Sequence, residues 1–270
     1  MLPSSPRRMA ASPSPLKVSA KTVILLSVDD RLGETVLRKD SIRAAWRGQP
    51  ECGKCGIRHL ALFADLRESD FEDIHVPIED LEFPGGSTLY NVGDPGQAVF
   101  TVRTGVVKLI QYLPNGSYRI VRLLTQGGTA GLEATVGEPY SHSAVAVRET
   151  LVCRIPSATV DQLRTKNPDL CKRLMQRWHD SVQQADDWLT RLSTGSAKSR
   201  MARLFLYLMG DTCDPTCQIF GRDDMAAILG ITTETASRLV AEFRRDRVVA
   251  PLAANRFMCD QRKLEEIALN

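Results

Sequence analysis

No part of this sequence restricts its own conformation as tightly as Arg222 to Val240, which spells two short helices and the turn between them. Met225, Ile228 and Leu229 mark the inner face of a first helix around a small Ala226, Gly230 supplies a left-handed turn, and Ile231 plugs the corner. Thr232 is placed to cap a second helix by accepting from an orphan amide, and Ala236, Leu239, Val240 and Phe243 repeat at helical spacing toward a core. Thr233 opens that helix, and Glu234, Ser237 and Arg238 are left on its opposite face. Arginine can fork onto a guanine, glutamate can accept from a cytosine amine, and serine suits either. The pattern therefore predicts a helix-turn-helix that reads base edges of double-stranded DNA through Thr232, Thr233, Glu234, Ser237 and Arg238. An ordinary helical hairpin with a solvated polar face has the same periodicity, so the rest of the chain must decide.

A chain of 270 residues with 43% hydrophobic content is long for one domain and comfortable for two. Its longest apolar run, Thr22 to Val28, is far short of the roughly twenty residues of a membrane span, and no signal-peptide pattern is present. The expectation is a soluble cytoplasmic protein with no membrane partner. Seven cysteines in an unexported chain argue against a disulfide framework. A net charge of +3 does not announce a nucleic-acid partner, but local clusters such as Arg244, Arg245 and Arg247 can still grip phosphate. Ser87, Ser141 and the scattered histidines and acids form no nucleophile-base-orienter set, so no catalytic activity is expected.

Four regions follow from the patterning. Residues 1–48, with a Ser/Pro/Ala/Arg-rich stretch from Pro3 to Pro15, read as an unpacked arm. Residues 49–166 read as an antiparallel β-barrel or jelly-roll. Short alternating runs at Val99 to Val102, Val106 to Tyr112, Tyr118 to Leu124, His142 to Val147 and Leu151 to Ile155 are broken by Pro84-Gly85-Gly86, Gly93-Asp94-Pro95-Gly96, Asn115-Gly116 and Gly127-Gly128. Residues 167–194 read as a long helix, with Leu174, Trp178, Ser181, Ala185, Trp188 and Leu192 at coiled-coil spacing. Residues 195–270 hold the helix-turn-helix. The expected class is thus α+β.

At this point a family resemblance appears. Thr-x-Glu-Thr-x-Ser-Arg, from Thr232 to Arg238, resembles the recognition helix of the CRP/FNR regulators, specifically the FNR branch, and the similarity runs from about Cys52 to the C-terminus. The resemblance implies a β-barrel effector domain resembling a cyclic-nucleotide-binding domain, a parallel dimer through the long helix, and a winged helix-turn-helix reading TTGAT-like half-sites, one per subunit. Two-fold related recognition helices reach successive major grooves about 34 Å apart. It also implies contact with RNA polymerase, for which Leu113-Pro114-Asn115-Gly116 is a candidate surface. Related cyclic-nucleotide receptors hold the phosphate with a Gly-Glu pair and an Arg-Ser pair. This chain has Gly131-Leu132-Glu133 and then Ser141-His142-Ser143, so the bidentate donor is missing, Glu133 is expected to stand uncompensated, and a cyclic nucleotide is disfavoured.

Oxygen-sensing FNR proteins resemble this chain in a Cys-x-x-Cys pair and in a cysteine before the Ile-Pro that ends the barrel. Cys52, Cys55 and Cys153 match three of four cluster ligands. The fourth position fails, because Ala61 and Phe63 stand at the two spacings that branch uses; His59 or Asp65 are substitute donors. An iron-sulfur cluster is the leading candidate cofactor, against a direct thiol-disulfide switch, a zinc site using His59, or regulation by abundance with no bound effector. Cys213 and Cys217 read as loop cysteines without function, and Cys171 and Cys259 carry no spacing signal. The reading is a homodimeric bacterial transcription regulator responding to oxygen or redox state. The alternative is a metal- or thiol-redox-binding protein that acts through protein contacts.

Overall fold

The computed structural model describes residues 78–210 and 215–269. The arm of residues 1–48 and the candidate ligands Cys52, Cys55, His59 and Asp65 lie outside the described residues, as does Cys213. In chain order the first described strands are β1 (Glu79–Phe83), β2 (Thr88–Tyr90), β3 (Ala98–Thr104), β4 (Val107–Tyr112), β5 (Tyr118–Leu124), β6 (Thr129–Ala130), β7 (Ser143–Ala146) and β8 (Thr150–Pro156). They form two four-stranded sheets, ordered β1-β8-β3-β6 and β2-β7-β4-β5, with antiparallel pairing throughout. Alternation explains the layering, since every second residue of a strand faces the opposing sheet. Val99, Val102, Val107, Ala144, Ala146 and Val152 are fully buried between the two.

The result is a jelly-roll sandwich, the second of the two forms that the strand pattern allowed, with two separate sheets and no closed barrel. One edge strand of each sheet is too short to carry a ladder around the corner: β6 has two residues and β2 three.

Helix α1 (Ser157–Lys166) follows the sandwich and stops at Asn167, whose side chain then accepts from the Asp169 amide at 3.1 Å to start α2 (Pro168–Leu192). No helix among the described residues is long and apolar enough to cross a membrane. The expected seam of α2 needs correction. Leu174, Trp188 and Leu192 are only 7%, 8% and 1% exposed within the single chain. Leu174 packs with Ile78, Ile155 and Leu163, while Trp188 and Leu192 join the C-terminal core, where Trp188 meets Tyr207 edge-on at 5.8 Å. Of the six expected seam residues, Trp178 and Ala185 are exposed and Ser181 is half-buried. The apolar row left facing outward is Met175, Trp178, Val182, Ala185 and Leu189, which alternates three- and four-residue steps. Sequence periodicity alone could not separate two apolar rows that share Trp178 and Ala185; only knowing which flanking residues the sandwich and α3 cover does so.

The C-terminal part comprises α3 (Ala197–Met209), β9 (Thr216–Gln218), α4 (Arg222–Leu229), α5 (Thr233–Arg245), β10 (Val249–Ala253), β11 (Arg256–Cys259) and α6 (Gln261–Leu269). This is a winged helix-turn-helix, with a three-stranded sheet ordered β10-β11-β9. Its core is built on Phe205, which packs against Phe243 of α5 at 5.9 Å and Phe257 of β11 at 6.2 Å. Met201, Met225 and Ile228 fill the space around it and are fully buried.

Candidate nucleic-acid interface and sensor pocket

The reading helix is fixed from both ends of the turn. Met225, Ile228 and Leu229 of α4 are fully buried, Gly230 turns the chain with φ +63°, and Thr232 caps α5 by accepting from the Thr235 amide at 3.2 Å. Ala236, Leu239, Val240 and Phe243 are buried as their spacing requires, and Glu234, Ser237 and Arg238 are exposed together on the other side. Thr233 is also exposed, but its hydroxyl donates to Asp223 of α4 at 2.7 Å, so it ties the two helices together. Lys198 of α3 donates to Glu242 at 2.6 Å and holds α5 from the rear. An arginine face continues past the reading triplet. Arg244, Arg245 and Arg247 line an open groove beside Val249, Ala250 and Pro251 at the base of the wing, a shape suited to a phosphate backbone.

The sandwich grips this reader directly, which the sequence did not announce. Asp224 of α4 accepts from Lys108 of β4 at 2.6 Å and from the Tyr118 hydroxyl of β5 at 3.2 Å. Burial, reinforced by the Asp224 charge, pushes the Tyr118 phenol up to about 12. Arg119 donates from Nε to the Ala227 carbonyl at 2.9 Å and from Nη2 to the Ile228 carbonyl at 3.2 Å. Arg200 of α3 donates to the Leu229 carbonyl. The last turn of a helix leaves its carbonyls unpaired, and here two arginines satisfy them. Nothing in local periodicity identifies Arg119 for this task, because its partners lie more than a hundred residues away.

In the sandwich, Gly131 adopts φ +75° ahead of a single 3₁₀ turn, Leu132–Val136. A Cβ there would stand 2.8 Å from the Tyr140 ring and 2.9 Å from the Ala98 carbonyl, so glycine is required. Tyr140 stacks on Tyr90 with centroids 3.8 Å apart and donates its hydroxyl to the Ala98 carbonyl at 2.8 Å. Glu133 accepts from the Ser141 amide at 3.3 Å and lies 3.9 Å from His142 Nδ1. Arg122, reaching in from β5, also faces it: burial lowers the guanidinium's proton affinity, and the Glu133 carboxylate partly restores it. This corrects the expectation that Glu133 stands uncompensated. A cation is present, supplied by Arg122 of β5 rather than by position 142. His142 is itself held below its ordinary value, first by burial and then by the Arg122 charge.

The described cysteines near the strands fall into two places. Cys153 is half-buried on β8, opposite Asp80 of β1 and Thr101 of β3, and packs against the Ile78 and Ile155 cluster. Cys217 lies on β9 and Cys259 on β11, both buried, with sulfurs 3.3 Å apart. Cys217 is therefore a core residue and not a loop cysteine. Among the described residues no three His, Cys, Asp or Glu side chains gather as a metal site.

Two family models match this chain in succession. Residues 80–167 match the cyclic nucleotide-binding domain and residues 199–267 the Crp-like helix-turn-helix domain. Among curated relatives, the fumarate and nitrate reduction regulatory proteins of Vibrio cholerae and Escherichia coli K12 are 26% and 27% identical over 207 residues, spanning 74% of this chain and 82% of theirs. Among solved structures, FixK2 from Bradyrhizobium japonicum aligns with a TM-score of 0.64 at 19% identity, over 71% of this chain and 98% of its own. A CRP/FNR family transcriptional regulator from Thermus thermophilus aligns with a TM-score of 0.59 at 25% identity, over 71% of this chain and 99% of its own. With a match to the cyclic nucleotide-binding domain followed by a match to the Crp-like helix-turn-helix domain on one chain, the protein is similar in its two-part order to transcription regulators of the CRP/FNR type.

Proposed function

We propose that this chain is a transcription regulator of the CRP/FNR family, a homodimer of the FNR-like branch that reads a palindrome of TTGAT-like half-sites and responds to redox state. The observation carrying the reading is the triplet Glu234, Ser237 and Arg238, exposed on one face of α5 while the opposite face is locked in the core. Arg238 supplies a fork for guanine, Glu234 an acceptor for cytosine, and Arg244, Arg245 and Arg247 the phosphate contacts that set register. The second subunit docks along Met175, Trp178, Val182, Ala185 and Leu189, an apolar row that is costly to leave in water. The exposed turn at Leu113-Pro114-Asn115-Gly116 is the proposed contact for RNA polymerase.

A gel shift at moderate salt tests this. The wild-type chain retards a TTGAT palindrome with two chains per duplex, and Arg238→Ala weakens binding by about 1–3 kcal/mol while relaxing one base position. Equal behaviour of the two proteins would sink the reading.

For the signal, the donor set does not fit a four-cysteine cluster. Cys52, Cys55 and Cys153 supply three thiols, and Ala61 and Phe63, which cannot ligate iron, stand at the spacings where a fourth is needed. Thiol chemistry at Cys52 and Cys55 needs no fourth donor, which favours it over a cluster or zinc site completed by His59 or Asp65. Protein purified without oxygen is expected to hold no stoichiometric iron or sulfide, and a full cluster in that assay refutes the thiol reading. The sandwich interior beside Gly131 is occupied by the Tyr90–Tyr140 stack, which supports a sensor that does not take a cyclic nucleotide.

A further inference from the structure

We propose that Cys217 and Cys259 form a reversible disulfide under hydroperoxide, making the DNA-reading domain itself a site of redox modification. The bond is a property of the winged sheet and is separate from the Cys52, Cys55 and Cys153 set.

The geometry begins with register. On the antiparallel pair β9 and β11, Cys217 stands opposite Phe257, and Cys259 is the next residue on the same face. The Cys259 amide donates to the Pro215 carbonyl at 2.8 Å, so pairing continues past the strand end and holds the two sulfurs together. They share a hydrogen bond at 3.3 Å with both side chains buried. Because no third donor gathers with them among the described residues, the pair is a dithiol and not part of a metal shell. A disulfide needs the sulfurs at about 2.05 Å, so they must close by a little over 1 Å. The strand that has to yield is suited to it: β9 is three residues long, lies at the edge of its sheet, and pairs with β11 alone among the described strands. Local opening of so short an edge strand also admits an oxidant the size of hydrogen peroxide.

The chemistry balances with that oxidant. The shared hydrogen bond holds the Cys259 thiol below its ordinary value, while the same bond and burial push Cys217 up, so Cys259 gives up its proton first. Its thiolate attacks the peroxide, the O–O bond breaks, and the departing oxygen takes a proton and leaves as water or an alcohol. The resulting sulfenic acid is attacked by the Cys217 sulfur, the S–S bond forms, and the hydroxyl leaves as water with the Cys217 proton. Two thiols are oxidised by two electrons, and one hydroperoxide is reduced.

Between the two cysteines lie α4, the turn, α5 and β10, so the bond closes a loop around the entire reader. Such a closure restricts the unfolded chain and stabilises the folded one.

The test uses the full chain, treated with hydrogen peroxide, alkylated and digested with trypsin. The expected product links the peptide Leu204–Arg222 to the peptide Phe257–Arg262, with tandem mass spectrometry placing the bond on Cys217 and Cys259, and dithiothreitol releasing it. The oxidised protein is expected to melt higher by roughly 5–15 °C, a rise lost in Cys259→Ala. Recovery of Cys217 and Cys259 both alkylated while other thiols are oxidised would overturn the proposal, as would a Cys213–Cys217 link. The mapping on wild-type protein decides the matter even where the alanine variant folds poorly.

Discussion

The helix-turn-helix and the sandwich use charge in opposite ways. The helix-turn-helix buries one apolar face of α5 and turns Glu234, Arg238, Arg244 and Arg245 outward, where they are open to solvent. The sandwich draws Arg122, Glu133 and His142 toward its interior, where Glu133 acts on Arg122 and both act on His142. An outward charge is nearly free to keep and easy to reuse; an inward one must be matched by neighbours from other strands. The two halves should therefore fail differently when altered.

The largest effect is expected in the reader's core. Phe243 is fully buried against Phe205, and Phe243→Ala should cost about 3–5 kcal/mol in denaturant unfolding. A cost under about 1 kcal/mol would show that α5 is not seated as described. In the sandwich, Gly131→Ala forces a Cβ against the Tyr140 ring and the Ala98 carbonyl at positive φ, and a loss of about 1–3 kcal/mol is expected by the same measurement. The smallest effect separates the two halves by pH. His142 has its folded pKa depressed below 6.5, so the unfolded chain binds more protons in the interval between that lowered value and 6.5. Stability should be full above 6.5 and decline as pH falls through the interval. Thermal melts across it should show a slope that His142→Gln flattens; an unchanged slope in that variant would remove His142 from the account.

How much could be read in advance differs between the halves for a related reason. In the reader, every determinant is local: Met225, Ile228 and Leu229, the glycine at 230, the Thr232 cap and the inner row to Phe243 all lie within a short stretch. Their periodicity marked both faces of α5 correctly. Strand positions from Val99 to Ile155 are similarly visible through turn residues and alternation, whereas β2 and the two-residue β6 are too short to show a period. On α2 the apolar rows through Leu174 and through Met175 both satisfy a heptad, and the choice between them rests on what packs against the helix. Arg119, Arg122 and the Cys217–Cys259 pair escaped notice because their partners are remote in sequence.

Local residue order was enough to set the two-part architecture, the helix-turn-helix and the identity of its outward residues, since hydrophobic period, caps and turns act over a few residues. Only the assembled fold settles which face of α2 is left open, that Arg122 balances Glu133, that Lys108, Tyr118 and Arg119 hold α4, and that two scattered cysteines meet. Each of those depends on strands and helices being brought side by side, which is set by the summed packing of the core and not by the order of residues around any one of them.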